Sequence, residues 1–218
     1  MNDFKKNGKN VVRRHPERGA YDEQTIFEIL DENFICHVGF VVDNQPFVIP
    51  TIYGREGDKI YFHGAPASRM LGSLKSGIPA CVTVTMVDGL VLARSVFHHS
   101  MNYRSVVLFG TAAELPDAEK NHALHVVSEQ ILKGRWEEAR QPSEKEIKAT
   151  SVLCMKIDEA SAKIRTGPPK DAADDYELPI WAGIVPMQVS YGAAEADPLL
   201  RSEISLPESV KALSLNQD

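Results

Sequence analysis

The chain has 218 residues, of which 43% are hydrophobic and 25% are charged, a composition typical of a soluble globular protein with a core of its own. Its formal net charge of -6 argues against bulk affinity for nucleic acid or for an anionic membrane. No apolar run approaches the roughly 20 residues that a membrane span needs, and the polar start Met1–Asn10 is unlike a secretory signal. We therefore expect a cytoplasmic protein with neither membrane nor nucleic acid as a partner.

Cysteine and histidine spacing argues against a metal centre. The three cysteines are scattered and show no CxxC spacing: Cys36, Cys81 and Cys154. Such a set is typical of reduced thiols that pack as small hydrophobic side chains. No carboxylate or cysteine completes a metal-binding set with His98–His99 or with His122 and His125, so we predict no metal site.

Three regions follow one another along the chain. Residues 1–20 form a polar, basic arm that either docks on the body or a partner, or is a disordered leader; the sequence leaves both open. Residues 21–187 form the main domain, and residues 188–218 form an extension that wraps a surface or a partner.

The first half of the main domain mixes one helix with several strands. A helix is predicted over Tyr21–Asn33, with Asp22 as its N-cap. Strands are predicted over Phe34–Val42, Phe47–Tyr53 and Lys59–His63. Because Pro50 lacks an N–H donor, its strand is expected at a sheet edge or at a bulge. A second helix is predicted over residues 66–76, with Pro66 in its first turn and Gly77 as its C-cap.

The second half is also β-rich. Alternation predicts a strand over Ala80–Val87, a hairpin turn at Asp88–Gly89 and a partner strand over Leu90–Phe97. Further elements are a β run over Tyr103–Leu115, a helix over Asp117–Lys133 buried through Leu124, Val127 and Ile131, a helix over Ser143–Thr150, and one long strand over Ser151–Arg165. Short connections between strands predict an antiparallel β-barrel with peripheral helices. Neither GxGxxG nor GxxxxGK[ST] is present, which removes the usual nucleotide motifs.

The stretch Ile60–Leu71 is the first candidate for a binding site. Gly64 permits a turn after a strand, and Ser68 and Arg69 fall in the first turn of the following helix. Free backbone N–H groups, the helix dipole and a guanidinium together suit a phosphate. The alternative is an ordinary strand-to-helix connection with a surface arginine.

Three other segments suit a flat heterocycle attached to that phosphate. The strand Val48–Tyr53 exposes backbone groups where Pro50 interrupts it, Asn102–Val107 places Arg104 beside a hydroxyl, and Trp181 offers a stacking surface. Each also has an ordinary explanation as a strand edge, a surface arginine or an interface tryptophan.

The order of these motifs resembles a known family. The motifs, in order, are RGAYD at residues 18–22, PTIY at residues 50–53, YFHG and SRML at residues 61–64 and 68–71, NYRSVV at residues 102–107, and WAGIVP at residues 181–186. Together they resemble the flavin-binding split-barrel proteins related to pyridoxamine 5′-phosphate oxidase, and most of all the Nim-type branch associated with nitroimidazole resistance. The likeness spans about Arg13 to Pro186.

This resemblance implies a mainly β, Greek-key-like FMN-binding split barrel that forms a homodimer with two FMN molecules at its interface. Carried over to this sequence, the cofactor-binding residues are Ser68 and Arg69 at the phosphate, Ile49, Pro50 and Thr51 along the isoalloxazine edge, Phe62 and His63 beside the ring, Thr83 at the ribityl chain, Arg104 and Ser105 near the cofactor, and Trp181 from the other subunit. The extension has only Arg201 and Lys211 as cations, which argues against vitamin B6 oxidation.

Two roles are open for His63. As a catalytic residue it would donate a proton near the flavin, since the ordinary histidine pKa of about 6.5 lies near working pH. Alternatively it only hydrogen-bonds the cofactor.

The resulting functional hypothesis is an FMN-dependent oxidoreductase that takes electrons from a reduced nicotinamide and passes them to a small organic acceptor, such as a nitro-aromatic. Two alternatives remain: a non-catalytic flavin-binding or storage protein, and a haem-handling split barrel that uses His98 or His99.

Overall fold

The computed structural model describes residues 3–215. The strands are β1 (Gly19–Ala20), β2 (Ile35–Val42), β3 (Gln45–Ile52), β4 (Gly54–Glu56), β5 (Lys59–Gly64), β6 (Pro79–Leu92), β7 (Ser100–Glu114), β8 (Ser151–Lys156), β9 (Glu159–Arg165) and β10 (Gly183–Pro186). The helices are α1 (Glu23–Asp31), α2 (Arg69–Leu74), α3 (Asp117–Ile131), α4 (Arg135–Glu138), α5 (Glu144–Lys148) and α6 (Glu208–Leu215). The strands pair antiparallel, and the predicted mainly β class is confirmed.

The chain divides into two compact units. The first contains the chain up to Pro50, Pro79–Gly110 and Ile157–Gln188. The second contains Thr51–Ile78, Thr111–Lys156 and the chain from Val189 onward. Residues 1–2 of the predicted arm and residues 216–218 of the predicted extension lie outside the described residues.

In the first unit the strand order is β3–β2–β6–β7–β9–β1, and β10 also pairs with β6. Helix α1 forms as predicted, because Oδ1 of Asp22 accepts a hydrogen bond from the N–H of Thr25 at 2.8 Å and caps the first turn. The apolar stripe of α1 is fully buried through Ile26, Ile29 and Leu30.

The described residues of the arm pack on the first unit. Of the two alternatives drawn from the sequence, the structure therefore shows a docked arm. Asn10 is buried, and its Nδ2 donates to the carbonyl oxygens of Lys5 and Ala160 at 3.0 and 3.1 Å. The N–H of Val12 donates to the hydroxyl of Tyr21 at 2.8 Å. Buried polar groups that find partners in this way hold an otherwise polar segment in place.

The predicted hairpin turn at Asp88–Gly89 is wrong, because β6 continues through both residues to Leu92. Its first part pairs with β2, whereas Gly89 to Leu92 pair with β10. A Cβ at Gly89 would lie 2.9 Å from the carbonyl oxygen of Val185, so this glycine permits close strand approach. A local Asp-Gly signal cannot reveal a strand that arrives from nearly a hundred residues later.

The predicted single strand over Ser151–Arg165 is also wrong. The chain breaks after Lys156, so that β8 pairs with β5 and with residues 112–114 of β7, whereas β9 pairs with β1 and with residues 103–109 of β7. Two consecutive strands with different neighbours read as one apolar run in the sequence, because each is buried on both faces.

In the second unit, α3 packs on β4 and β5 around a core that includes Tyr61, Val126, Val127 and Val152. Gly54 makes the approach possible: a Cβ there would lie 2.7 Å from both N and Cα of Val127. With α3 in this position, Val126 and Val127 are buried. The predicted buried stripe of Leu124, Val127 and Ile131 is therefore only partly correct. Ile131, which the prediction placed inside, is 39% exposed.

Helix α2 is shorter than predicted. It begins at Arg69 and not at Pro66, because Ser68 is the N-cap and accepts from the N–H of Leu71 at 3.4 Å. Lys75 is the C-cap, and Gly77 follows with a φ of +79°. Helix α5 begins as predicted, after a capping box between Ser143 and Glu146.

Most of the extension is extended chain, and its last part forms α6. The carboxylate of Glu138 on α4 accepts hydrogen bonds from the backbone N–H of Ser209, at 3.1 Å, and from its hydroxyl. No helix between residues 3 and 215 is long and apolar enough to cross a membrane.

Candidate functional site

Strand β3 presents the backbone edge that the sequence predicted. It ends the strand order of the first unit, and no strand in the described chain covers its outer side. The predicted edge position of Pro50 is therefore confirmed. Val48 is 67% exposed, which leaves the neighbouring backbone open to a ligand. Ile49 and Pro50 lie in the first unit and Thr51 begins the second.

The connection between β5 and α2 contains the predicted phosphate contacts. The hydroxyl of Ser68 caps the helix, and the backbone N–H of Ser68 donates to the carbonyl oxygen of Ala65 at 2.9 Å. Arg69 is the first helical residue and is exposed. The fold thus places both side chains at the start of a helix, as predicted; their contact with a phosphate stays a prediction.

His63 carries an unsatisfied polar atom. Its Nδ1 is buried and has no hydrogen-bond partner among the described residues. A buried polar atom of this kind costs about 1–3 kcal/mol, which suggests a ligand that completes it. Burial lowers the pKa of His63 below its ordinary value, so the ring is neutral at neutral pH. The side chain of the preceding Phe62 is fully buried, and its predicted contact with a cofactor ring stays a prediction.

In the first unit, three predicted cofactor contacts already have partners within the chain. The guanidinium of Arg104 bonds the carboxylates of Asp88 and Glu32. The hydroxyl of Thr83 donates to the carbonyl oxygen of Val106 at 3.1 Å, and that of Ser105 donates to the carbonyl oxygen of Lys163 at 3.3 Å. Sequence reasoning missed these partners, because they lie between 16 and 72 residues apart in the chain and their approach has no local signal.

Trp181 is 65% exposed and lies in the first unit. A Cβ at Gly183 would lie 2.9 Å from Cζ2 of its indole, so the ring rests on this glycine. The indole is not buried as a core tryptophan would be, and an exposed indole suits a stacking or interface role.

The eleven predicted cofactor residues are distributed over both units. The first unit contains Ile49, Pro50, Thr83, Arg104, Ser105 and Trp181. The second contains Thr51, Phe62, His63, Ser68 and Arg69.

A second candidate segment surrounds the predicted haem histidines. Val96–His98 form a short 3-10 helix in which Val96 and Phe97 are 82% and 86% exposed, and the ring of His98 packs against Phe97 with centroids 5.2 Å apart. Nε2 of His99 lies 3.2 Å from the carbonyl oxygen of Ala93. A carbonyl can only accept, so this contact places the proton on Nε2 and leaves a lone pair on Nδ1.

The other histidine pair is engaged elsewhere. Nε2 of His122 lies 2.8 Å from Glu56, and His125 packs edge-to-face on Trp136. Across residues 3–215, no group of three or more metal-ligating side chains comes together.

Comparison with known proteins defines the class of protein. The family model described as pyridoxamine 5′-phosphate oxidase matches residues 22–164, so the chain belongs to this family. The predicted resemblance to the pyridoxamine 5′-phosphate oxidase-related family and the predicted split-barrel fold are confirmed, whereas the predicted closest likeness to the Nim-type branch is not. No curated protein matches the chain.

Individual solved structures show which members of the family the chain resembles. The flavocytochrome Anf3 from Azotobacter vinelandii is 39% identical, with 93% of this chain and 94% of that chain covered and a TM-score of 0.87. An FAD and haem binding protein from Mycobacterium smegmatis is 36% identical, with 90% and 97% covered and a TM-score of 0.87. A candidate 5-nitroimidazole antibiotic resistance protein from Bacteroides thetaiotaomicron is more distant, at 24% identity, 66% and 84% coverage and a TM-score of 0.56, and supports the fold alone.

Proposed function

We propose that this protein is a flavocytochrome: a split barrel that binds a flavin, FAD in preference to FMN, together with haem. The observation that carries this proposal is the similarity, at 36–39% identity over at least 90% of the chain, to two proteins named for these cofactors. The haem alternative drawn from the sequence is thereby favoured over a protein that binds FMN alone.

The residues present fit a flavin. The open edge of β3 offers backbone groups to the ring, and the unpartnered Nδ1 of His63 needs a polar neighbour. Ser68 and Arg69 would hold a phosphate at the start of α2. A bound flavin supplies hydride and single-electron chemistry, and the chain supplies binding and orientation. The lowered pKa of His63 keeps its ring neutral, so this side chain can accept or donate one hydrogen bond without adding charge beside the ring.

The residues present also fit haem. Histidine that ligates a metal usually donates its other ring N–H to a carbonyl or carboxylate. His99 has this arrangement, since its Nε2 contacts the carbonyl oxygen of Ala93 and the lone pair is then on Nδ1. The exposed Val96 and Phe97 beside it supply apolar surface of the kind that a porphyrin covers. We propose that His99 would bind the haem iron, with His98 as the neighbouring alternative.

Two finer proposals from the sequence accompany this one. The first is a homodimer with the cofactor at its interface, supported by the exposed apolar residues Leu90, Trp181 and Val185 of the first unit. The second is reduction of the flavin by a reduced nicotinamide, with delivery to a small organic acceptor.

The test begins with the visible spectrum of the protein purified with haem and flavin supplied, followed by chromatography of the released flavin. We expect a Soret band and FAD. His99→Ala should lose the Soret band and keep the flavin, His63→Ala should lower flavin retention, and His122→Ala is the matched exposed-histidine control. Flavin without haem would overturn the flavocytochrome and favour the FMN-type oxidoreductase, which a nicotinamide reduction assay would then examine. Loss of both cofactors would overturn both.

A further inference from the structure

The first unit contains a buried arginine without a carboxylate partner among the described residues, and the proposed cofactor contacts do not include it. Arg165, at the end of β9, is only 8% exposed. Its hydrogen-bond acceptors are the side-chain oxygen of Asn102 and the carbonyl oxygens of Gly167 and Pro168, the last two at 3.2 and 3.4 Å. All three are neutral. No carboxylate lies within ion-pair distance of Arg165 in the part of the chain that the structure describes.

Two other half-buried arginines of this unit are balanced by carboxylates. Arg94 pairs with Asp171 at 3.3 Å, and Arg104 pairs with Asp88 and Glu32. A buried charge without an opposite charge is unfavourable, so the most deeply buried guanidinium would be expected to have the best partner. Arg165 departs from this expectation.

A second cation makes the imbalance larger. Because Gly19 of β1 pairs with Lys163 of β9, and the 3-10 helix Pro16–Arg18 just before it contacts β9, Arg18 lies near the end of β9 that contains Arg165. The positive charge of Arg18 and burial both lower the pKa of Arg165. The only carboxylate that pairs with Arg18 in the described chain is Glu17, at 3.8 Å, and Glu17 also contacts His15 at 3.1 Å.

The described residues use the donors of Arg165 unequally. Nη1 makes both the Asn102 and Gly167 bonds, whereas Nη2 makes only the long bond to Pro168 and Nε makes none. The edge formed by Nε and Nη2 is one that holds a carboxylate or phosphate with two parallel bonds. Arg18, whose side chain is 28% exposed, would add donors at the solvent side.

We propose that Arg165 and Arg18 form a subsite for a phosphate or carboxylate group of a small ligand. It goes beyond the proposed cofactor contacts, which include neither residue. The group comes either from a free anion or from the phosphates of a flavin dinucleotide, and the chemistry that recognises it is the same.

Inorganic phosphate and acetate are suitable probes. The thermal unfolding midpoint of the purified protein is measured against each anion, with sodium chloride holding the ionic strength constant. We expect a saturable rise with phosphate, because a ligand that binds only the folded state stabilises it. Arg18→Glu places a carboxylate beside Arg165, so it should raise the midpoint without phosphate and weaken phosphate binding at least tenfold. Arg201→Glu makes the same charge change on the exposed extension and should leave the response intact.

A second variant guards against misfolding at the buried position. Arg165→Lys keeps the charge and loses the two-pronged edge, so it should fold and bind phosphate at least tenfold more weakly. The subsite is overturned if the wild type responds to phosphate no more than to sodium chloride, or if Arg18→Glu keeps the full response. Repeating the titration with saturating FAD separates the sources: a response abolished by FAD assigns the group to the flavin, and a retained one assigns it to a free anion. Both results support the subsite, and neither depends on haem or turnover.

Discussion

Arg104 and Asp88 form a two-pronged ion pair between β7 and β6. Nη2 of Arg104 donates to Oδ1 of Asp88 at 2.9 Å, and Nε donates to both carboxylate oxygens at 3.2 Å. Nη1 donates to both oxygens of Glu32 at 2.6 and 2.7 Å, which ties the end of α1 to the same guanidinium. These bonds raise the pKa of Arg104 above its usual value. The structure thus pairs this arginine with two carboxylates of its own unit, and its predicted contact with a cofactor stays a prediction.

Arg104→Ala should therefore lower the free energy of unfolding by about 1–2 kcal/mol, since two carboxylates lose a charged donor. Urea denaturation measures the effect, and a double-mutant cycle with Asp88→Ala isolates the pair. Arg140→Ala, which removes an exposed arginine paired with Glu146, is the control and should change the stability little. Loss of flavin with unchanged stability would contradict this role and favour the cofactor contact.

Gly54→Ala should destabilise the second unit by about 3 kcal/mol, because the new methyl group would meet the backbone of α3 at Val127 and not a side chain that can move. Gly72→Ala is the matched control. Gly72 lies inside α2 with nothing within 4 Å of its Cβ position, so this change should stabilise by about 0.5–1 kcal/mol. Both are measured by urea denaturation, and a Gly54→Ala protein as stable as the wild type would show that α3 does not pack this closely.

The buried ring of His63 predicts a pH dependence of stability. Burial lowers its pKa in the folded protein below the value of about 6.5 expected in the unfolded chain. Between these two values the unfolded state binds more protons, so stability falls as the pH is lowered through this window. Unfolding measured from pH 8 down to pH 5 should show a shallower decline for His63→Gln than for the wild type. Identical slopes would mean that His63 is not buried as a neutral ring.

The link between Glu138 and Ser209 predicts how the chain end is held. Hydrogen bonds from the hydroxyl and backbone N–H of Ser209 lower the pKa of Glu138, and Ser209 itself is buried. Glu138→Gln should weaken these bonds, and Glu138→Ala should remove them and release α6. Limited proteolysis, followed by mass spectrometry of the chain end, should show cleavage several-fold faster for Glu138→Ala. Glu137→Ala, the neighbouring change on α4, should leave the rate unchanged; equal rates for both variants would argue that other contacts hold α6.

Several elements could be predicted because their signals are local. Asp22, Ser68 and Ser143 cap helices from their own side chains, and each was recognised as lying at or near a helix start. Alternation located the first part of β6, and the missing donor of Pro50 limited β3 to an edge or a bulge, of which the structure shows the edge. The order of motifs identified the family, since it needs only the succession of residues.

The candidate site could be predicted only in part. The types and order of residues indicated which segments would bind a flavin. The unpartnered Nδ1 of His63 supports one of these segments, Ile60–Leu71. The sequence does not predict the partners of Arg104, nor that Arg165 lacks a counter-ion within the described part of the chain, because charge balance at a buried arginine depends on which distant carboxylates the fold brings near.

The sequence by itself determined the N-cap of α1, the edge strand, the mainly β class and the family, because each depends on short-range geometry or on the order of residues. Only the tertiary structure decided that Asp88–Gly89 lies inside a strand, that the run from Ser151 to Arg165 is two strands, and that no carboxylate among residues 3–215 pairs with Arg165. Those outcomes depend on pairing between segments far apart in the chain. The hydrogen bonds and close contacts that settle such pairing have no local signature.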